Sequence, residues 1–271
     1  MKRRHIFTFI GIALTSLILA VGLPLISSSV LAQSNTELLV SAAASMKDVM
    51  EEVKKDYQQT KPNVNIRYNF GASGALLQQI QQGAPVDVFI SAGKKQMDTL
   101  EQSGQLLAGT RGILAKNRLV LVVPNNVTGI SSFYNLRDSK IKKIAIGEPR
   151  SVPAGQYAEQ TLQKLGIYQS IKPKFVYANN VRQVLAAVES GNADAGLVYL
   201  TDAKISNKVK VVVAADEKYH SPIVYPMAVL KRSKNTQAAK DFVQFLSGDK
   251  TKTVLQKYGF ILPSQPTAVN R

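Results

Sequence analysis

Ser45, Ser73 and Tyr199 are hydroxyl residues that stand where strand-like runs end. Leu38-Leu39-Val40 leads to Ser45, Val64 to Phe70 leads to Ser73, and Ala195 to Tyr199 is itself such a run. Helical patterns begin just after both serines. Two more strand-to-helix junctions, the Ala154-Gly155 turn and Asn180-Val181, lack a reactive side chain at Ala154, Gly155 and Val181. They still offer what any helix start offers: unpaired backbone N–H groups at the positive end of the helix dipole. Such places attract anions. A dianion can be held by neutral donors alone if each of its oxygens is satisfied. The chemistry indicated is therefore oxyanion binding without a charged side chain. For a single serine, capping its own helix is the simpler role. Ser45, with Asp48 three residues on, has the capping-box pattern. Periodicity alone does not show that the junctions meet.

Several enzyme chemistries fail on inventory. Gly71-Ala72-Ser73-Gly74-Ala75 resembles a nucleophile elbow, but Ala75 occupies the place of the required glycine. A serine hydrolase built on Ser73 also needs a base, and His220 is the one histidine beyond the first 32 residues. His220, beside Ser221 and Pro222, reads as a surface-loop residue. The chain has no cysteine, hence no disulfide, thiolate metal site or lipid-bearing cysteine. No His/Asp/Glu cluster has metal-ligand spacing, and no P-loop is present. Arg182 and Lys47 lie near the junctions in sequence and read as solvated or distant sources of positive field.

The elements that must position these residues alternate between strand and helix. Met46, Val49, Met50, Val53 and Tyr57 share one helical face; Gly83 ends the helix after Ser73; a third strand runs from Val86 to Ala92. This alternation predicts an α/β fold with mainly parallel sheets, whose ligands bind beyond the carboxyl ends of the strands. Leu119 to Pro124 reads as the passage into a second lobe. There, strands near Ile141 to Ile146, Lys174 to Ala178, Ala195 to Tyr199 and Val209 to Val213 surround two helices. Ile223 to Leu230 reads as the return strand, with Pro226 marking an edge or a bulge. The tail is helical up to Gly259 and patternless from Pro263.

Residues 1–32 combine Lys2-Arg3-Arg4, an apolar stretch from Ile6 to Ile26 and the small-residue signal Val30-Leu31-Ala32. This is the pattern of a cleaved signal peptide, so an exported protein, periplasmic where an outer membrane exists, is expected. The leader carries three basic residues and no acid, so its removal lowers the formal charge from +16 to +13. Outside the cytoplasm that charge suits an anion-attracting field, and no nucleic-acid partner is expected.

The motifs Ala42-Ala43-Ala44-Ser45, Phe70-Gly71-Ala72-Ser73-Gly74, Asp87 to Ala92, Val152 to Ala158, Asn180-Val181-Arg182, Gly196 to Tyr199 and Tyr258-Gly259-Phe260 occur in that order. Together they resemble the molybdate-binding proteins of ABC importers and span almost all of the chain after the leader. The resemblance implies a two-lobed periplasmic binding protein fold of type II, each lobe a mixed, mainly parallel sheet flanked by helices. It implies lobe 1 at 33–121 and 224–271, lobe 2 at 122–223, and hinges near Val122 and Val224. Ser45 and Ser73 would bind through hydroxyl and backbone N–H, Ala154 and Val181 through backbone N–H, and Tyr199 through its hydroxyl. Molybdenum would be held only as its oxyanion, with no cofactor and no enzymatic activity. The implied ligand is molybdate, with tungstate beside it; the implied partner is an inner-membrane ABC permease, and the receptor a monomer. Ala72 stands where some relatives have a second serine, and Glu148-Pro149 where an Asn-Pro or Asp-Pro is more usual; neither removes a proposed donor. A receptor for another solute such as sulfate or ferric ion, a secreted hydrolase using Ser73, and a sensor half of a regulator are the alternatives. No Tyr-Tyr pair supports the ferric reading.

Overall fold

A computed structural model describes residues 35–263. The leader assigned to 1–32 lies outside the described residues, as does the tail from 264 onward.

The strands are β1 (Thr36–Ala43), β2 (Val64–Gly71), β3 (Val88–Ile90), β4 (Gly112–Lys116), β5 (Leu119–Pro124), β6 (Ile144–Gly147), β7 (Phe175–Ala178), β8 (Ala195–Tyr199), β9 (Val209–Ala214) and β10 (Val224–Val229). They form two five-stranded sheets, ordered β2-β1-β3-β10-β4 and β7-β6-β8-β5-β9. The two orders are the same pattern. In the first sheet β1 is parallel to β2 and β3, and β10 runs antiparallel between β3 and β4. In the second, β6 is parallel to β7 and β8, and β5 runs antiparallel between β8 and β9. The fourth place in each sheet is filled by the strand arriving from the other sheet. The chain crosses between Lys116 and Leu119 and returns between Ala214 and Val224. Val122 thus lies within β5, paired with Gly196 and Val211.

The helices are α1 (Lys47–Thr60), α2 (Ser73–Gln81), α3 (Lys94–Gln102), α4 (Pro153–Lys164), α5 (Tyr168–Ile171), α6 (Val181–Glu189), α7 (Leu200–Lys204), α8 (Thr236–Leu246) and α9 (Asp249–Lys257). The expected inward face of α1 is buried at Val49, Met50, Val53 and Tyr57. Tyr57 meets Phe242 and Phe245 of α8 edge-on, each with ring centroids 5.0 Å apart, which ties the first helix to the C-terminal pair. One apolar cluster runs continuously through both lobes; a smaller one, with Leu76, Ile80, Phe89, Met97 and Leu100, seats α2 and α3 on the first sheet.

Pro226 marks a bulge. β10 lies inside its sheet, and the register with β4 shifts between Tyr225 and Pro226, which accommodates a residue that cannot donate to the ladder. β4 carried too little pattern to be read: it has five residues, and Ile113 is exposed. The third strand is shorter than its apolar run because Val86 and Asp87 lie in the approach loop, although Asp87 N–H still donates to the Leu39 carbonyl.

The start of α4 is pressed against the end of β6. A Cβ on Gly155 would stand 2.0 Å from the Gly147 carbonyl oxygen, and one on Gly147 would strike Val152. Close backbone approach, with no side chain between, brings the Val152-Pro153-Ala154 turn to the strand ends. Gly155→Ala is expected to lose about 2–3 kcal/mol of stability in urea unfolding, as backbone must move to admit the methyl group.

Candidate functional site

Ser45, Ser73, Ala154, Val181 and Tyr199 all line one small cavity between the lobes. Its other walls are small or apolar at Ala43, Ala44, Gly71, Ala72, Ala92, Val152 and Pro153, with the neutral Asn180 beside them. No Asp, Glu, Lys, Arg or His lines it. Ser73 opens α2, Ala154 is the second residue of α4, and Val181 opens α6. Their N–H groups belong to the first turns of helices, where no carbonyl of the same helix reaches them.

Ser45 does not cap α1. Ala44 to Met46 form a 3-10 turn, α1 starts at Lys47, and no side chain caps either element. The Ser45 hydroxyl instead meets Tyr225 Oη at 2.9 Å. The direction of that bond follows from its neighbours. Asn117 Oδ1 accepts from Arg118 N–H at 2.9 Å, which orients the amide. Asn117 Nδ2 then donates to Thr201 Oγ1 at 2.9 Å and to Tyr225 Oη at 3.2 Å. Tyr225, already accepting, gives its proton to Ser45 Oγ, and the Ser45 proton is left free. Ser73 ends in the same state: its oxygen accepts from Ala92 N–H at 2.9 Å, so its proton is also free. Each serine oxygen therefore already accepts one bond, and each hydroxyl proton is free to be donated.

Tyr199 Oη and Tyr157 Oη each lie 3.4 Å from the Ala92 carbonyl across the cleft. Such bonds are long for a hydroxyl and easily exchanged for a better acceptor. Burial pushes the Tyr199 and Tyr225 hydroxyls well above the ordinary tyrosine value, so both keep their protons. A firmer contact between lobes is Gly74 N–H to the Ser151 carbonyl at 2.9 Å; a Cβ on Gly74 would collide with Ser151.

Arg182 is ion-paired rather than a free solvated cation. Its Nη2 donates to Asp48 Oδ2 at 2.5 Å, and its Nε stands 2.6 Å from Asp202 Oδ1. The second contact is a close ion pair, off the N–H axis rather than an aligned hydrogen bond. Asp202 is fully buried and also accepts from Tyr199 N–H at 3.3 Å. Burial raises its carboxyl to about 6 against the lowering pull of Arg182. His220 sits apart from Ser73. Its Nδ1 contacts the Ser221 carbonyl at 2.8 Å and its ring meets Tyr157 edge-on, so the nearest polar partner of the Ser73 hydroxyl is a backbone amide, not a base.

Tyr225, Asn117, Thr201 and Tyr157 are the members of the site that junction counting misses. Tyr157 lies in the Val152 to Ala158 motif; the other three carry no local signal, because they meet only where the chain crosses between sheets.

Two lobes of like topology closed over a cavity of neutral donors define a cleft-type solute receptor. Residues 38–261 match the family described as bacterial extracellular solute-binding protein, and the chain belongs to that family. It is 43% identical to YvgL of Bacillus subtilis, provisionally described as an ABC transporter substrate-binding lipoprotein, over 92% of this chain and 95% of that one. It is 37% identical to the molybdate-binding protein ModA of Haemophilus influenzae, over 84% of this chain and 91% of the relative. Among solved structures, the periplasmic molybdate-binding protein of Azotobacter vinelandii superposes with a TM-score of 0.75 at 27% identity, covering 84% of this chain and all of that one.

A carboxyl held above its ordinary value favours the folded state most when protonated. Relative to Asp202→Asn, the native protein should lose stability as pH rises from the ordinary aspartate value of 3.8 through about 6. Paired urea titrations at pH 4, 5, 6 and 7 measure this; a difference flat across that window would contradict it.

Proposed function

We propose that the protein is the extracytoplasmic receptor of an ABC importer for molybdate, with tungstate as an equivalent ligand. The observation that carries the proposal is the convergence of Ser45, Ser73, Ala154, Val181 and Tyr199 on one cavity without a charged side chain. In this reading the two serines donate hydroxyl and backbone protons, Ala154 and Val181 donate backbone N–H, and Tyr199 donates its hydroxyl. A tetrahedral dianion accepts at every oxygen, which matches a lining whose two serine protons are free to be donated. Protonated phosphate brings a proton that needs an acceptor, so it is disfavoured. Sulfate has the same charge and no proton, and its exclusion rests on size alone.

The lobes close by bending at the two crossings, near 117–118 and 215–223, and the closed form is presented to a membrane permease. The receptor acts as a monomer and performs no covalent step. It is exported behind a cleaved leader and works in the periplasm or its equivalent. Among the described residues no helix is long and apolar enough to cross a membrane.

Calorimetric titration of residues 33–271 with molybdate, tungstate, sulfate and phosphate tests the reading. Strong binding of the first two alone is expected; silence from all four with folded, ligand-free protein would overturn it. Backbone donation has its own test. Val181 is the first residue of α6 and follows an extended Asn180, a setting that accepts proline. Val181→Pro should therefore keep the helix by circular dichroism and delete only the N–H. Its molybdate affinity should fall roughly ten- to hundredfold, the scale of a hydrogen bond to a charged group. Ser45→Ala and Ser73→Ala should fall by a similar factor.

A further inference from the structure

Arg182 belongs to neither group of proposed ligand donors, yet it touches the supports of three of them. It follows Val181 directly in α6. Its guanidinium is anchored within its own lobe by Asp202 of α7, and Asp202 accepts from the backbone N–H of Tyr199. The far end of the guanidinium crosses the cleft. There Nη2 donates to Asp48, in the first turn of α1, at 2.5 Å and approaches the Ser45 carbonyl at 3.4 Å. Val181, Tyr199 and Ser45 are thereby connected through one side chain. Among the described residues this is the salt bridge that joins the two lobes; the others lie within a lobe. The remaining polar contacts across the cleft mouth, Gly74 to Ser151 and the two tyrosines to Ala92, are neutral.

We propose that Arg182 and Asp48 form an electrostatic latch that holds the lobes shut over the bound anion, with Asp202 as the fixed base of the latch. The inference deepens the receptor reading and rests on it for the identity of the ligand. Arg182 is a positioning residue here: its guanidinium is held by the two carboxylates and does not line the cavity. The arrangement also answers a charge problem. Asp48 and Asp202 are two carboxylates beside a site for a dianion, and each would repel it. Arg182 engages both, so the closed form does not pit the ligand against bare negative charge.

The sign of one substitution separates latch from simple neighbour. Asp48→Asn removes a negative charge near the site. If Asp48 acts only through its field, affinity for a dianion should rise. If Asp48 is the far half of a latch, affinity should fall, because the closed state loses a contact that the open state never had. Closed-state contacts act on release, so the loss should fall on the dissociation rate. Asp48 is well suited to the test. Its side chain is 39% exposed, whereas removing Arg182 would strand the buried Asp202.

Stopped-flow exchange with molybdate on residues 33–271 should show Asp48→Asn releasing the anion about fivefold faster, the scale of a half-exposed ion pair, with an unchanged or slightly higher association rate. Asp48→Glu, which keeps the charge, should return the rate toward native. Helix-dipole loss at α1 would lower the melting temperature without moving the release rate. The absence of native cysteines allows a spin-label pair at Lys164→Cys and Lys250→Cys, exposed positions in the two lobes. Pulsed distance measurements on ligand-free protein should show Asp48→Asn shifted to longer separations. Unchanged or slower release in Asp48→Asn, with a native distance distribution, would overturn the latch. Should the native protein bind no molybdate, the ligand assignment fails separately; the distance distributions then decide the latch alone, a shift supporting it and identity with native refuting it.

Discussion

The first backbone N–H groups of a helix have no partner within it, and burying them dry costs about as much as a lost hydrogen bond each. The structure depends on where those groups are sent. The Ser45 turn and the starts of α2, α4 and α6 all face one cavity, and no carboxylate or ammonium lines it to quench them. Small residues make this convergence attainable. Ala43, Ala44, Gly71, Ala72 and Ala92 leave the backbone exposed, and Gly147 and Gly155 let α4 approach its strand at a distance closed to any other residue. Tyr225 and Asn117 then leave the Ser45 proton free for the cavity, as the Ala92 N–H does for that of Ser73.

The sheets explain how halves distant in sequence can share a site. Each gives up its fourth position to a strand arriving from the other, so the two crossings run side by side between the lobes. Asn117 sits on the outgoing crossing, Tyr225 is the second residue of the return strand, and their bond joins the two. The polar contacts across the cleft are few: a backbone bond at Gly74, long tyrosine bonds at Ala92, and the Arg182 ion pair.

Much of this was legible in the chain because local rules agree with the fold. The α1 face from Val49 to Tyr57, strand β8 and the cap at Asn180 follow from period and cap chemistry, and Asn180 does accept from Gln183 N–H at 3.1 Å. The junction residues were legible for the same reason, being defined by what precedes and follows them. Ser45 misled because an Ser-x-x-Asp pattern fits a cap equally well; a tyrosine 180 residues away took its hydroxyl instead. Arg182 misled because a cation beside an exposed helix start is ordinarily solvated, and neither Asp48 nor Asp202 is near it in sequence. Long-range pairing, not composition, decided both residues.

The central claim is that a charged ligand is held by neutral backbone and hydroxyl donors. Amide-resolved NMR titration of the 15N-labelled protein with molybdate tests it most directly. The N–H resonances of Ser45, Ser73, Ala154 and Val181 should move downfield together and saturate at one equivalent, with lysine and arginine side-chain signals in place. Saturating binding that leaves those four amides unmoved and shifts cationic side chains instead would contradict it.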